Sequence, residues 1–134
     1  MDEKWTAWNP VEIPEGKYEL IRLEQNWDGL QLVFDDERYK VEVTYKEKFL
    51  AFRSCDEGDR WKTVSTVLAD NDGKFFKNKL LFKVENSEYK KWFQSENYAK
   101  WDESDYEHHA FVTANDIIDV LAFGEPTVKV EKIS

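Results

Sequence analysis

The chain has 134 residues, of which 41% are hydrophobic, including 6 Trp, 6 Tyr and 9 Phe, so it can build the core of one domain, 1–134. Its net charge of −9 argues against nucleic acid as a ligand, because such binding relies on Lys and Arg neutralising phosphates. No apolar run reaches the ~18 residues of a membrane span, and the acidic start is unlike a signal peptide. With Cys55 as the single cysteine, we expect a cytoplasmic protein without disulfides.

Residues 1–16 hold two of the three prolines and two tryptophans. This composition predicts an extended N-terminal arm packed on the body of the domain, with Trp5 and Trp8 as its anchors.

A meander of four antiparallel strands is predicted for residues 17–54. The clearest alternation of apolar and polar residues runs from Tyr39 to Lys46. The sequence Asp28-Gly29 is typical of a hairpin turn, and the break in alternation at Leu20 and Ile21 indicates a bulge.

Two segments are ambiguous between helix and strand. In 59–69, apolar residues fall on one face of a helix for which Asp59 would be the N-cap. The β-branched content of the same segment favours a strand. In 114–123, the start and stop signals fit a helix, whereas the alternation from Ile117 to Phe123 fits a fully buried strand. A last strand is predicted for Thr127 to Ile133.

A strand at Leu80–Val84 is followed by Ser87, which is placed to cap a helix that runs to about Glu96. We expect Trp92 and Phe93 to dock this helix on the sheet, since they lie one turn beyond Tyr89. Residues 96–107 form a polar, acidic loop.

The candidates for catalysis are few. His108 and His109 are the only histidines, and adjacent residues of a strand point to opposite faces, so we expect neither of them in a metal site. We expect one of them to be half-buried where the acidic loop enters a strand. Cys55 is flanked by Asp56 and Glu57, whose charges favour the thiol over the reactive thiolate. We therefore predict no catalytic, cofactor-binding or metal-binding residues.

Charged residues are unevenly distributed. Residues 2–37 hold ten acids and three bases, for a net charge of −7, whereas residues 74–83 hold four lysines and no acid. These regions either meet in the fold or form two opposite patches. Five charged residues also cluster where a strand gives way to the ambiguous segment 59–69, and we interpret them as a surface ion-pair network that adds little stability. They are Arg53, Asp56, Glu57, Asp59 and Arg60.

Aromatic residues embedded in acidic sequence are the best candidates for a binding surface. A core does not need them there, and aromatic side chains are favoured anchors at protein interfaces. The predicted partner-binding residues are Trp101, Asp102, Glu103, Asp105, Tyr106, Trp27 and Asp28.

Three stretches resemble a group of small, uncharacterised proteins of Bacillus-like bacteria. They are Phe82–Tyr89 with Trp92-Phe93, Arg53–Gly58, and Ile118–Leu121 with Glu125-Pro126, and the likeness covers roughly residues 8–130. Such proteins resemble the immunity-type partners of polymorphic toxins. The resemblance implies a strand at Ile118–Phe123 and a basic, toxin-like protein as partner, and it implies no catalytic residue.

The sequence thus predicts an α+β domain that is mainly antiparallel β, with about eight strands in a sandwich or open barrel and one or two short helices. The function that we expect is non-enzymatic protein binding in the cytoplasm. One alternative is a carbohydrate-binding module that uses exposed tryptophans. Another is a small hydrolase that uses Cys55 or His109 with a carboxylate.

Overall fold

The computed structural model describes residues 3–46 and 49–134, which form nine strands and two α-helices. The strands are β1 (Lys4–Ala7), β2 (Glu19–Asn26), β3 (Gly29–Asp35), β4 (Tyr39–Lys46), β5 (Phe49–Asp56), β6 (Leu81–Glu85), β7 (Glu107–Val112), β8 (Asp116–Ala122) and β9 (Thr127–Lys132). The helices are α1 (Trp61–Asp70) and α2 (Glu88–Glu96).

All strand pairs are antiparallel, and the strands form two open sheets. The five-stranded sheet has the order β1-β6-β7-β8-β5, and the four-stranded sheet has the order β2-β3-β4-β9. The predicted α+β class with a mainly antiparallel sandwich is therefore confirmed, and neither sheet closes into a barrel. Part of the N-terminal segment is itself a strand, because β1 pairs with β6 at the edge and buries Trp5.

Three strands of the predicted meander, β2, β3 and β4, lie side by side in the four-stranded sheet. The predicted fourth strand does not join them, because β5 pairs with β8 in the other sheet. The predicted bulge is present, since the register between β2 and β3 shifts at Ile21. The predicted hairpin turn is also present. Gly29 closes this turn with a φ of 133°, a conformation that residues with a side chain rarely adopt.

The main core lies between the two sheets. Phe34 of β3 and Phe111 of β7 stack there with ring centroids 5.5 Å apart. The five-stranded sheet is also covered on its other face, by α1 over Val84 and Ala110 and by α2 over Leu121. Its central strands are therefore buried on both faces.

Double-sided burial explains why the segment 114–123 was ambiguous. A strand buried on both faces has no polar face, so its sequence is nearly continuously apolar and loses the period-2 signal. The structure forms β8 from Asp116 to Ala122, which confirms the strand alternative. One charged residue, Asp119, lies in the middle of this strand and is completely buried.

The other ambiguous segment is a helix. α1 buries Val67 and half-buries Val64 and Leu68, so the apolar face outweighs the β-branched content. The predicted N-cap at Asp59 is wrong, because a short 3₁₀ turn at Glu57–Arg60 precedes α1 and is capped by Asp56.

Helix α2 begins as predicted, with Ser87 Oγ accepting a hydrogen bond from the Lys90 amide. The predicted docking role of Trp92 is wrong, since its side chain is 54% exposed. The pair Tyr89 and Phe93, spaced i and i+4, faces the sheet instead, and Trp92 stacks over the Tyr89 ring at 5.8 Å. Neither helix of the described part of the chain has the length and apolar character needed to cross a bilayer.

Candidate functional site

The pairing registers bring the two predicted parts of the binding surface to the same end of the sandwich. Lys46, the last residue of β4, pairs with Gly29 beside the β2–β3 turn. β5 begins three residues later, at Phe49, which pairs with Ala122 of β8. Ala122 pairs in turn with the first residue of β7, directly after the loop 101–106. The Trp27 turn and this loop therefore share one end of the molecule.

We call this region the acidic end. Trp27 and Tyr98 are almost completely exposed there, and Phe123 is partly exposed. Large aromatic side chains exposed at one end of a fold are candidate anchors for a protein partner. The members of the acidic end are Trp27, Asp28, Tyr98, Trp101, Asp102, Glu103, Asp105 and Phe123.

Trp101 is fixed in place at the acidic end. Its ring is half-buried and packs edge-on against Phe123, with centroids 5.0 Å apart. The Gln94 side-chain amide donates a hydrogen bond to the Trp101 carbonyl at 3.0 Å, and the Lys100 ammonium lies 5.1 Å from the ring centroid. A rigid aromatic pair loses little conformational entropy when a partner covers it.

The four acidic side chains of the acidic end are exposed to solvent. Asp102 accepts hydrogen bonds from the Ser104 hydroxyl and amide, and these bonds lower the pKa of its carboxyl. Asp28, Glu103 and Asp105 are exposed and have no ion pair with any described residue. The acidic end therefore presents carboxylates that have no cation within ion-pair distance in the described part of the chain.

Tyr106 does not belong to this exposed surface, contrary to the prediction. Its side chain is buried, and its hydroxyl donates to Gln94 Oε1 at 2.7 Å. The ring meets Phe93 edge-on at 5.8 Å, and Lys90 Nζ donates to the Tyr106 carbonyl at 2.7 Å. Tyr106 thus anchors the acidic loop on α2, and burial raises the pKa of its hydroxyl.

A second charged constellation, which the sequence did not predict, surrounds Asp119 in the outer face of the five-stranded sheet. Asp119 Oδ2 accepts from Arg53 Nε at 2.8 Å and from Arg60 Nη1 at 2.5 Å, and Oδ1 lies 2.6 Å from His108 Nε2. Burial raises the pKa of this carboxyl, but the hydrogen bond to His108 and the nearby positive charges outweigh burial and hold the pKa well below its usual range. Asp119 is therefore a buried anion that is fully hydrogen-bonded.

The charge cluster around residues 53–60 is consequently more than the surface network that we expected. Arg53 and Arg60 turn inward to the buried carboxylate, and Arg53 also stacks on the Tyr89 ring at 4.2 Å. Asp56 instead caps a turn, and Asp59 forms no ion pair with any described residue.

His108 also touches Ser87, so that a serine, a histidine and an aspartate follow one another in a chain of hydrogen bonds. Ser87 Oγ lies 2.6 Å from His108 Nδ1, and the opposite ring nitrogen faces Asp119. Nucleophilic catalysis needs the serine oxygen at a surface that substrate can reach. Ser87, His108 and Asp119 are all buried, and Ser87 Oγ already accepts the Lys90 amide as the cap of α2. The arrangement joins α2 to the sheet and is closed to substrate.

His109 lies on the opposite face of β7, inside the core, so the expectation of a half-buried histidine at a loop is wrong for both rings. Its Nδ1 lies 2.7 Å from the Tyr45 hydroxyl and its Nε2 lies 3.0 Å from Glu107 Oε1. Burial lowers the pKa of His109 to about 4, despite the hydrogen bond and charge of Glu107, so the ring is neutral at pH 7.

The structure does not bring Cys55 together with His109. Cys55 pairs with Ile117 of β8, whereas His109 pairs with Val120 of the same strand. Two strand spacings of ~4.8 Å and three residues of ~3.3 Å therefore separate them, which is far beyond hydrogen-bond reach. Among the described residues, no group of three or more His, Cys, Asp or Glu side chains is placed to hold a metal ion.

Sequence reasoning missed Asp119 and Ser87 as partners of His108. The available signal was a lone acid inside the apolar run Ile117–Ala122, because a buried carboxylate requires cationic partners. Comparison of the chain with protein-family models, with curated proteins and with solved structures finds no match.

Proposed function

We propose that this chain is a non-enzymatic cytoplasmic binding protein of the immunity type, whose acidic end covers a basic, toxin-like protein domain. The observation that carries the proposal is the coincidence, at one end of the sandwich, of exposed aromatic side chains and unpaired carboxylates. Aromatic anchors hold protein complexes together, and complementary charge speeds the encounter and rejects wrong partners.

The architecture of the acidic end supports this role. Trp101 and Phe123 form a fixed apolar pair, and Asp102, Glu103 and Asp105 follow Trp101 on the loop that Tyr106 ties to α2. An apolar centre with a charged rim is the arrangement of many protein interfaces. The closed network at Ser87 and the separation of Cys55 from His109 weigh against the hydrolase alternative.

The experiment measures the kinetics of binding to the purified product of the neighbouring toxin-like gene, at about 0.05 M and 0.5 M salt. We expect the association rate to fall at least tenfold at the higher salt, because steering by exposed charges is screened. We expect Trp101→Ala to raise the dissociation rate at least tenfold and to change the association rate little.

Trp61→Ala is the matched control. Trp61 is also an exposed tryptophan, but it begins α1, which follows the opposite end of β5. Binding that is insensitive to salt and to Trp101→Ala, or that responds equally to Trp61→Ala, would remove the acidic end as the contact surface. The lack of any toxin-like neighbour gene would remove the immunity role itself.

A further inference from the structure

A cavity of about 500 Å³ opens at the end of the sandwich opposite the acidic end. Three segments meet there through backbone hydrogen bonds. The Ala114 amide donates to the Tyr18 carbonyl at 2.9 Å, the Gly16 amide donates to the Asn78 carbonyl at 3.3 Å, and the Glu57 amide donates to the Asn115 carbonyl at 2.9 Å. These contacts join the start of β2, the β7–β8 turn and the loop after α1 into one rim.

The floor of this cavity is apolar. Its apolar lining consists of Val64 and Leu68 of α1 together with Phe76 and Val112. Val64, Leu68 and Phe76 are only half-buried, so apolar surface remains open to the cavity. Phe76 is held in position by edge-on contact with the Trp5 ring at 5.7 Å. A preformed apolar surface of this kind is typical of small-molecule sites.

The rim of the cavity is basic. Lys17, Lys74, Lys77 and Lys79 line it and are exposed, and Glu57 is the single acid in the lining. None of the four lysines forms an ion pair with any residue that the structure describes. On a chain of net charge −9, this lining therefore forms a local positive site. A concave, partly apolar wall focuses such a field and raises the local concentration of anions.

We propose that this cavity, which we call the lysine pocket, binds a small amphipathic anion. The lysines bind a carboxylate, sulfonate or phosphate group, and the apolar floor takes the aliphatic or aromatic body that carries it. The volume lies within the roughly 300–1,000 Å³ of ordinary small-molecule sites. A concave site with an apolar floor suits a small ligand better than a macromolecular polyanion, which needs an extended basic track.

The lysine pocket also explains the uneven charge of the sequence. Lys74, Lys77 and Lys79 lie at the opposite end of the strands from Asp102 and Asp105, whereas Lys83 of the same +4 segment pairs with Glu107 beside the acidic loop. The two ends can therefore act independently, and the small ligand of one end is separate from the protein partner proposed for the other.

The test uses two fluorescent probes on the full chain. Anilinonaphthalene sulfonate carries an aromatic body and an anionic group, and phenylnaphthylamine carries a similar body without the charge. We expect one strong site per chain for the anionic probe and displacement of that probe by octanoate. The double variant Lys74→Gln/Lys77→Gln should lower the affinity for the anionic probe about tenfold and leave the affinity for the neutral probe unchanged.

Two further variants complete the design. Leu68→Trp places a larger side chain in the apolar part of the cavity and should lower the affinity for both probes at least tenfold. The control variant Lys129→Gln/Lys132→Gln removes two exposed lysines of β9, outside the pocket lining, and should leave the affinity for both probes unchanged. The lysine variants alter only exposed side chains, so the far-ultraviolet circular dichroism of both should match that of the parent chain.

Three results would overturn the proposal. The first is probe binding that survives both the lysine double variant and Leu68→Trp. The second is equal weakening by the β9 control, which would indicate only a general effect of net charge. The third is a self-associated species in sedimentation that disappears when the probe binds, which would assign the lysines to contact with a second copy of the chain.

Discussion

Replacement of Asp119 by asparagine tests how the buried charge network stabilises the fold. Asp119 is completely buried, and its carboxylate accepts hydrogen bonds from two guanidinium groups and faces the His108 ring. Asp119→Asn keeps the size and shape of the side chain but removes its negative charge. Arg53 and Arg60 then lose the carboxylate with which both form an ion pair.

The magnitude follows from the exposure of the two arginines. Removal of one partner of a buried ion pair destabilises a protein by about 3–5 kcal/mol, because the remaining charge stays desolvated. The Arg53 side chain is 40% exposed and can turn toward water, whereas Arg60 is only 11% exposed. One uncompensated charge therefore remains largely buried, and we expect a loss of about 3–4 kcal/mol in the free energy of unfolding. The total free energy of unfolding of a domain of this size is about 7–15 kcal/mol.

The assay is urea denaturation at pH 7, followed by tryptophan fluorescence and circular dichroism. With a slope of about 2 kcal/mol/M, the midpoint should fall by about 1.5–2 M. Glu42→Gln is the matched control, since it breaks the partly exposed pair with Lys40 at 3.2 Å and should cost less than about 1 kcal/mol. A loss for Asp119→Asn no larger than that of the control would refute the reasoning. The depressed pKa of Asp119 also means that its contribution is complete above the ordinary value of 3.8 and declines as the pH falls below it.

The pKa of His109 is about 4 in the folded state against an ordinary 6.5, so the unfolded chain binds a proton that the folded chain does not between these values. The free energy of unfolding should therefore fall by about 3 kcal/mol as the pH is lowered from 6.5 to 4. His109→Gln should reduce this pH dependence, as measured by calorimetry across the same range. If the variant shows the same pH dependence as the parent chain, His109 is not a buried neutral ring. Trp92→Ala should lower the free energy of unfolding by less than about 1.5 kcal/mol in urea denaturation, because the residue is 54% exposed and its ring stacks on Tyr89 at the surface. Phe111→Ala should cost about 3–5 kcal/mol in the same assay, because its ring is buried between the sheets; a loss equal to that of Trp92→Ala would argue against the core assignment.

Much of the fold is predictable from local pattern. The alternation at Tyr39–Lys46, the turn at Asp28-Gly29 and the cap at Ser87 depend on residues close in sequence, and the structure has all three. Whether 59–69 and 114–123 form a helix or a strand is not determined by the residues of these segments alone. It depends on whether one face or both faces of the segment are covered, and only the packing of α1 and α2 on the sheet decides that.

The candidate sites also have some features that the sequence determines and others that depend on the tertiary structure. The sequence by itself determined the acid-rich loop, the aromatic residues within it and the lysine-rich segment 74–83, because composition is a property of the chain alone. Only the tertiary structure decided that Tyr106 is buried and that Trp27 and the 101–106 loop share one end of the sandwich. It also decided that Lys74, Lys77 and Lys79 line a partly apolar cavity at the other end. It also joined Asp119 to two arginines 59 and 66 residues away. The physical reason is that strand pairing converts sequence separation into register, so residues remote in the chain become neighbours whose charges and burial no local pattern records.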